Sequence, residues 1–181
     1  MRTALIILFV AGPVGALDVV YFHIWKFRLY RRAQSRREEV THLIRGIMVP
    51  AIFGALLAGR PEGTLFLAVA ATFLLDTLNS LIDVMVEPRS RASLGGVPPA
   101  ELAVHFIGTS LMSAAFVTFL LDGWRSRHAA AALVRWPAGA LPWWFITMAR
   151  GALLTAAFLV IFEAALAWRW RARATQTSTP Q

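Results

Sequence analysis

Acid and imidazole recur one helical turn apart on separate apolar segments of this sequence. Glu38 and Glu39 stand four and three residues before His42, and Glu101 stands four before His105. Side chains at these spacings share a helix face, so each pair presents a carboxylate and an imidazole together. Convergence of such groups from facing helices is how bundles build metal centres, and Glu-x-x-His recurs in di-iron and di-manganese sites. Glu39-Val-Thr-His42 has that spacing, and Glu101-Leu-Ala-Val-His105 has the related longer one. On a third segment Asp76, Asn79, Asp83 and Glu87 are spaced 3, 4 and 4 apart, which makes one narrow stripe. A fourth segment carries Asp18 and His23. On an α-helix of about 100° per residue these two diverge by about 140°, so they are not expected to face one centre.

The ligand pool expected from these patterns is His23, Glu39, His42, Asp76, Asp83, Glu101 and His105, with Glu38 as a substitute for Glu39. Its core is expected at Asp76, Asp83, His42 and His105. Oxygen and imidazole donors suit iron, manganese or zinc, and the absence of cysteine excludes thiolate zinc, iron–sulfur clusters and cysteine nucleophiles. The corresponding chemistry is oxidation or hydrolysis of a lipid-like or quinone-like substrate, with the metal as redox centre or Lewis acid and a spare carboxylate as proton acceptor. Two other functions compete. The stripe from Asp76 to Glu87 would serve a proton or metal-ion relay, and ion pairs to Arg45, Arg89 and Arg91 would serve a non-catalytic subunit or assembly factor of a membrane complex. Several acids also have ordinary roles at helix ends. Ser35-Arg-Arg-Glu38 reads as a capping box, Pro98-Pro99-Ala-Glu101 as a helix first turn, and Glu87 and Glu163 as interfacial residues.

The elements that must position these groups are long apolar segments. The chain of 181 residues is 57% hydrophobic, with a mean hydropathy of +0.59, too apolar for a soluble domain of this length. Segments 3–25, 42–59, 64–86, 99–121 and 143–168 approach or exceed the ~20 residues needed to cross a hydrocarbon core. The fold class expected is all-α: one integral membrane bundle of about five transmembrane helices over residues 1–173, with a disordered tail at 174–181. Twelve of the eighteen Lys and Arg residues fall in the first and third connections, just inside the second helix, or in the tail. That bias places the N-terminus outside and the C-terminus in the cytoplasm. Eight of the ten acids, all but Glu62 and Asp122, then gather toward the cytoplasmic side. Asp76 sits roughly 15 Å inward from that end of its helix, where a lone carboxylate is costly.

The net charge of +8 flanks apolar blocks, so anionic lipid headgroups are the expected partner, with other membrane subunits, and nucleic acid is not. The stretch Lys26 to Arg37 with Phe27, Leu29 and Tyr30 suits such a surface. Arg60 to Gly63 reads as a tight turn, and Trp124 to Trp136 as a short interfacial helix. Tyr21-Phe-His-Ile-Trp-Lys-Phe-Arg-Leu-Tyr30, Ser35-Arg-Arg-Glu-Glu-Val-Thr-His42 and Arg89-Ser-Arg-Ala-Ser-Leu-Gly-Gly96 together resemble a group of bacterial multi-spanning inner-membrane proteins. The resemblance covers about residues 18 to 110. It implies the bacterial inner membrane and attaches no activity.

Overall fold

A computed structural model describes residues 1–177 of the chain. It is an all-α bundle: α1 (Arg2–Leu17) continuing into a π-helical segment (Asp18–Lys26), α2 (Arg36–Ala58), α3 (Gly63–Arg91), α4 (Pro99–Gly123) and α5 (Trp143–Thr177). α5 continues past Ala174, where the tail was expected to begin; residues 178–181 lie outside the described residues. Five stretches are long and apolar enough to cross a membrane: Arg2–Lys26, Ala33–Ala58, Gly63–Leu94, Pro99–His128 and Trp143–Arg171. Their outward faces are apolar and open, with Leu154 74%, Ile161 69% and Phe158 63% exposed. Helices that keep their backbone bonds internal and turn greasy side chains outward suit a hydrocarbon solvent, consistent with a multi-pass membrane protein.

α1 packs against α4, and α2 lies between α3 and α5. Gly46 makes the α2–α5 approach close, since a Cβ there would stand 2.5 Å from Val160 Cγ2. The interior has two zones. One half is apolar, with Leu5, Leu8, Ile52, Leu56, Phe66, Phe73, Ala115 and Phe119 buried together. Phe66 and Phe119 stack at 4.8 Å, and Phe73 stacks on Phe116 at 5.1 Å. The other half is polar, and burial of charge on this scale inside apolar helices is expensive unless each group is compensated.

At the apolar end the chain does not form the helix expected from Trp124 to Trp136. A 3₁₀ turn covers Trp124–His128, and β2 (Ala132–Val134) then pairs antiparallel with β1 (Arg60–Glu62) in the register Arg60↔Val134 and Glu62↔Ala132. The ribbon satisfies backbone groups that two separate loops would leave open. Gly63 permits it, with φ +60° and no room for a Cβ against Ala129 O.

Candidate functional site

Three helical segments each carry an acid one turn before a histidine, and the three pairs point inward to one place. On α2 the pair is Glu38 and His42, and on α4 it is Glu101 and His105, both four residues apart. The third pair is Asp18 and His23, five apart, and here the structure overturns the expected divergence. Residues 18–26 are π-helical, as the Phe27 N–H donating to Phe22 O at 2.9 Å marks at the segment's end. With i→i+5 bonding, residues five apart lie above one another, so Asp18 and His23 share a face. π-Helical turns are rare and concentrate at functional sites. The fourth wall is α3, whose Asp76, Asn79, Asp83 and Glu87 are all buried along the expected stripe.

The imidazoles form a triangle, with ring centroids 4.0 Å apart for His23–His42, 6.4 Å for His42–His105 and 6.5 Å for His23–His105. His23 is the hub. Its Nε2 stands 3.6 Å from Glu101 Oε1, 3.8 Å from Glu38 Oε1 and 4.0 Å from Asp18 Oδ1. His105 bonds Asp18 Oδ2 at 2.9 Å through Nε2 and faces Glu87 Oε1 at 3.5 Å through Nδ1. His42 Nε2 lies 3.1 Å from Asp83 Oδ2. Thr41 donates its hydroxyl to Asp83 Oδ1, and Asn79 donates to Thr41 O at 2.8 Å, which holds α3 to α2 at this level.

Arg91 enters the cluster from the end of α3 and is 0% exposed. Its Nη2 reaches Glu38 Oε1 at 2.8 Å, donates to Glu101 Oε1, and approaches His23 Nε2 at 3.4 Å. A guanidinium only donates, so Nε2 of His23 is the accepting atom, and at that length the bond is weak. The guanidinium carbon also stands 4.8 Å from the Phe27 ring centre. Arg91 was expected in the connection after segment 64–86; α3 instead runs through Pro88 and carries Arg91 inward, one turn past Glu87.

Each expected ligand has a definite place. His23, His42, Glu101 and His105 converge. Asp83 stands behind His42 as its partner. Glu39 is turned to α5, where Arg171 Nη2 meets its Oε2 at 3.0 Å. Asp76 lies one level deeper, 3.8 Å from Arg45 Nε, while Arg45 Nη1 donates to Ser80 Oγ at 2.8 Å. Asp18, Glu38 and Glu87 join instead. The capping role read for Glu38 does not form, since Ser35 makes no side-chain cap bond and Glu38 is 0% exposed. Glu163, expected near an interface, is buried at 6% exposure. The spacing Glu38 to His42 was visible in the sequence. What hid it was the equally regular Glu39-x-x-His42.

Three overlapping groups could each hold one ion: Asp18, His23, Glu101 and His105; His23, Glu38 and His42; and Glu38, Glu87 and Glu101, with ligand atoms in each set within 4.8 Å of one another. Around an ion with bonds of about 2.1 Å, ligand atoms lie roughly 3 to 4.2 Å apart, so small side-chain shifts would close each set. The charge balance points the same way. Asp18, Glu38, Asp83, Glu87 and Glu101 are buried against one guanidinium, leaving four formal negative charges to be offset by protons or cations. Among the described residues, Asp18 Oδ1, His23 Nδ1 and Glu101 Oε2 are buried with no hydrogen-bond partner. Native interiors seldom leave so many polar atoms unmatched.

The deeper Arg45–Asp76 pair is separable from this cluster. Replacing Arg45 with alanine would leave the Asp76 carboxylate uncompensated and is expected to destabilise the protein by about 2 kcal/mol, below the 3–5 of a fully buried pair because Arg45 is partly exposed. Adding Asp76→Asn to Arg45→Ala should recover most of the loss in a thermal melt in detergent. A double variant no more stable than Arg45→Ala alone would show that the pair is not what holds Asp76. Against known proteins, the chain matches no family model, no curated protein and no solved structure.

Proposed function

We propose that this chain is a multi-pass bacterial inner-membrane protein whose buried His/carboxylate cluster holds one or two first-row divalent metal ions, iron, manganese or zinc, and acts on a lipid-like or quinone-like substrate by oxidation or hydrolysis. The observation that carries the proposal is the convergence of three acid–histidine turn pairs on His23, from three segments far apart in sequence. His23, His42 and His105 with Asp18, Glu38, Glu87 and Glu101 are the ligand set. Glu38 and Glu101 each belong to two groups, as carboxylates bridging two ions would. Asp83 would orient His42 from behind, as carboxylates do for metal-bound imidazoles. The orientation proposed from the basic residues puts the cluster on the cytoplasmic side, with the N-terminus outside. The bound metal would supply Lewis acidity or redox capacity, while the chain's own residues hold it dry; with the two histidine-containing groups occupied, Glu87, which belongs to neither, would be left to accept a proton.

A structural role for the cluster is the second reading, favoured by Arg91, which already neutralises part of Glu38 and Glu101. A transport path finds less support. Beyond Asp76 the interior is filled by Phe73, Phe66 and Phe119, and among the described residues no polar chain leads onward. Elemental analysis of protein purified without chelator separates the first two readings. The metal reading expects about one to two iron, manganese or zinc atoms per chain, lost together on dialysis against a strong chelator. Metal-replete growth yielding protein with none of these ions would overturn it in favour of an ion-paired assembly.

A further inference from the structure

The geometry points to a built site for one anionic phospholipid on the outer face of the bundle, at the same end as the buried cluster but separate from it. A cavity of about 430 Å³ opens between the start of α2 and the end of α3, lined by Gln34, Arg36, Arg37, Met85, Val86 and Arg89. Arg36, Arg37 and Arg89 are exposed, and among the described residues none of them forms a salt bridge, although Arg36 is near enough to Glu39 to act on a carboxylate that Arg171 already holds. This sets them apart from Arg45, Arg91 and Arg171, each of which meets a carboxylate. Three guanidinium groups sharing one concavity repel one another and call for an anion with several acceptor oxygens, which a phosphate supplies.

The wall of the same cavity is apolar at Met85 and Val86, and it opens onto an apolar track. Leu75, Leu78, Ile82 and Met85 are 54%, 47%, 48% and 68% exposed and follow one another at helical spacings of three or four, with Arg89 one turn further on. They form one face of α3, roughly opposite Glu87 and away from the imidazoles. A phosphate at the arginines with a hydrocarbon chain running down that face matches the site at both ends. Free phosphate would use only the arginines. The charge complementarity and the continuity with the apolar track therefore select a membrane phospholipid carrying net negative charge. This site does not depend on whether the buried cluster holds metal.

The test is native mass spectrometry of the full chain released from detergent after titration with dioleoylphosphatidylglycerol or dioleoylphosphatidylcholine. One phosphatidylglycerol per chain is expected to saturate, with at least about tenfold preference over phosphatidylcholine. The variant Arg36→Ala/Arg37→Ala/Arg89→Ala should bind it about a hundredfold more weakly, and Arg89→Ala alone about fivefold, while Arg125→Ala/Arg127→Ala at the other end binds as the parent does. Arg89 is exposed and unpaired, so its single variant keeps the test valid if the triple variant fails to fold. Equal retention of both lipids, or unchanged affinity in Arg89→Ala, would overturn the site. Displacement of the lipid by millimolar inorganic phosphate would overturn its assignment to a phospholipid. Metal content measured on the same samples should not change with any of these arginines, so failure here is distinct from failure of the metal reading.

Discussion

Alanine at His23 is expected to strip the cluster of metal, with affinity falling by more than the 10–100-fold that loss of an outer-shell partner causes. His23 is the one imidazole common to both histidine-containing groups, and its Nε2 faces Asp18, Glu38 and Glu101 at once. Removing it opens both groups, whereas His42→Ala or His105→Ala opens one. Metal-to-protein ratios should therefore rank the variants, with His23→Ala lowest, the other two intermediate, and His128→Ala equal to the parent. His128 lies in the turn after α4, at the other end of the bundle, and serves as the control. A folded His23→Ala protein that retains full metal content would remove His23 from the site and with it the convergence argument.

Loss of Arg91 should produce the largest stability effect of any single polar substitution. Its side chain is wholly buried, and one nitrogen serves Glu38, Glu101 and His23 together. Arg91→Ala leaves two carboxylates facing each other in a low-dielectric interior, with an expected cost of about 3–5 kcal/mol. Because a single nitrogen makes these contacts while, among the described residues, Nε and Nη1 have no hydrogen-bond partner, a lysine point charge should retain part of the stability. The two carboxylates also belong, with Glu87, to a group that could hold an ion. Added manganese or zinc should consequently raise the melting temperature of Arg91→Ala more than that of the parent protein. Melting curves in detergent with and without metal measure both effects. A variant as stable as the parent would show that the guanidinium is not needed to hold these acids inside.

The two variants probe different properties of one cluster. His23→Ala removes a metal donor and leaves the acids paired with Arg91. Arg91→Ala removes the resident cation and leaves the donors. If the cluster is only a set of ion pairs, Arg91→Ala is severe, metal does not rescue it, and His23→Ala is mild. If it is a metal centre, the metal dependence appears in both.

Hydropathy alone determined the five helices and their all-α class, because apolar length is a local property that no tertiary contact has to supply. The inward stripe of α3 was equally legible, since Asp76, Asn79, Asp83 and Glu87 keep strict helical spacing within one element. What the sequence could not decide was which of two adjacent glutamates faces the centre. Glu38 and Glu39 both stand about one turn from His42, and only the positions of α3 and α5 send the first to Arg91 and the second to Arg171. Nor could it place Asp18 beside His23. That required the change from α- to π-helical winding after Leu17, which rotates residues five apart onto one face. Arg91 was obscured by Pro88, which reads locally as a helix end although α3 passes through it to deliver a buried cation. The sequence thus determined which groups are present and at roughly what depth. The tertiary structure decided which of them meet, because convergence depends on helix rotation and neighbour identity rather than on spacing along one chain.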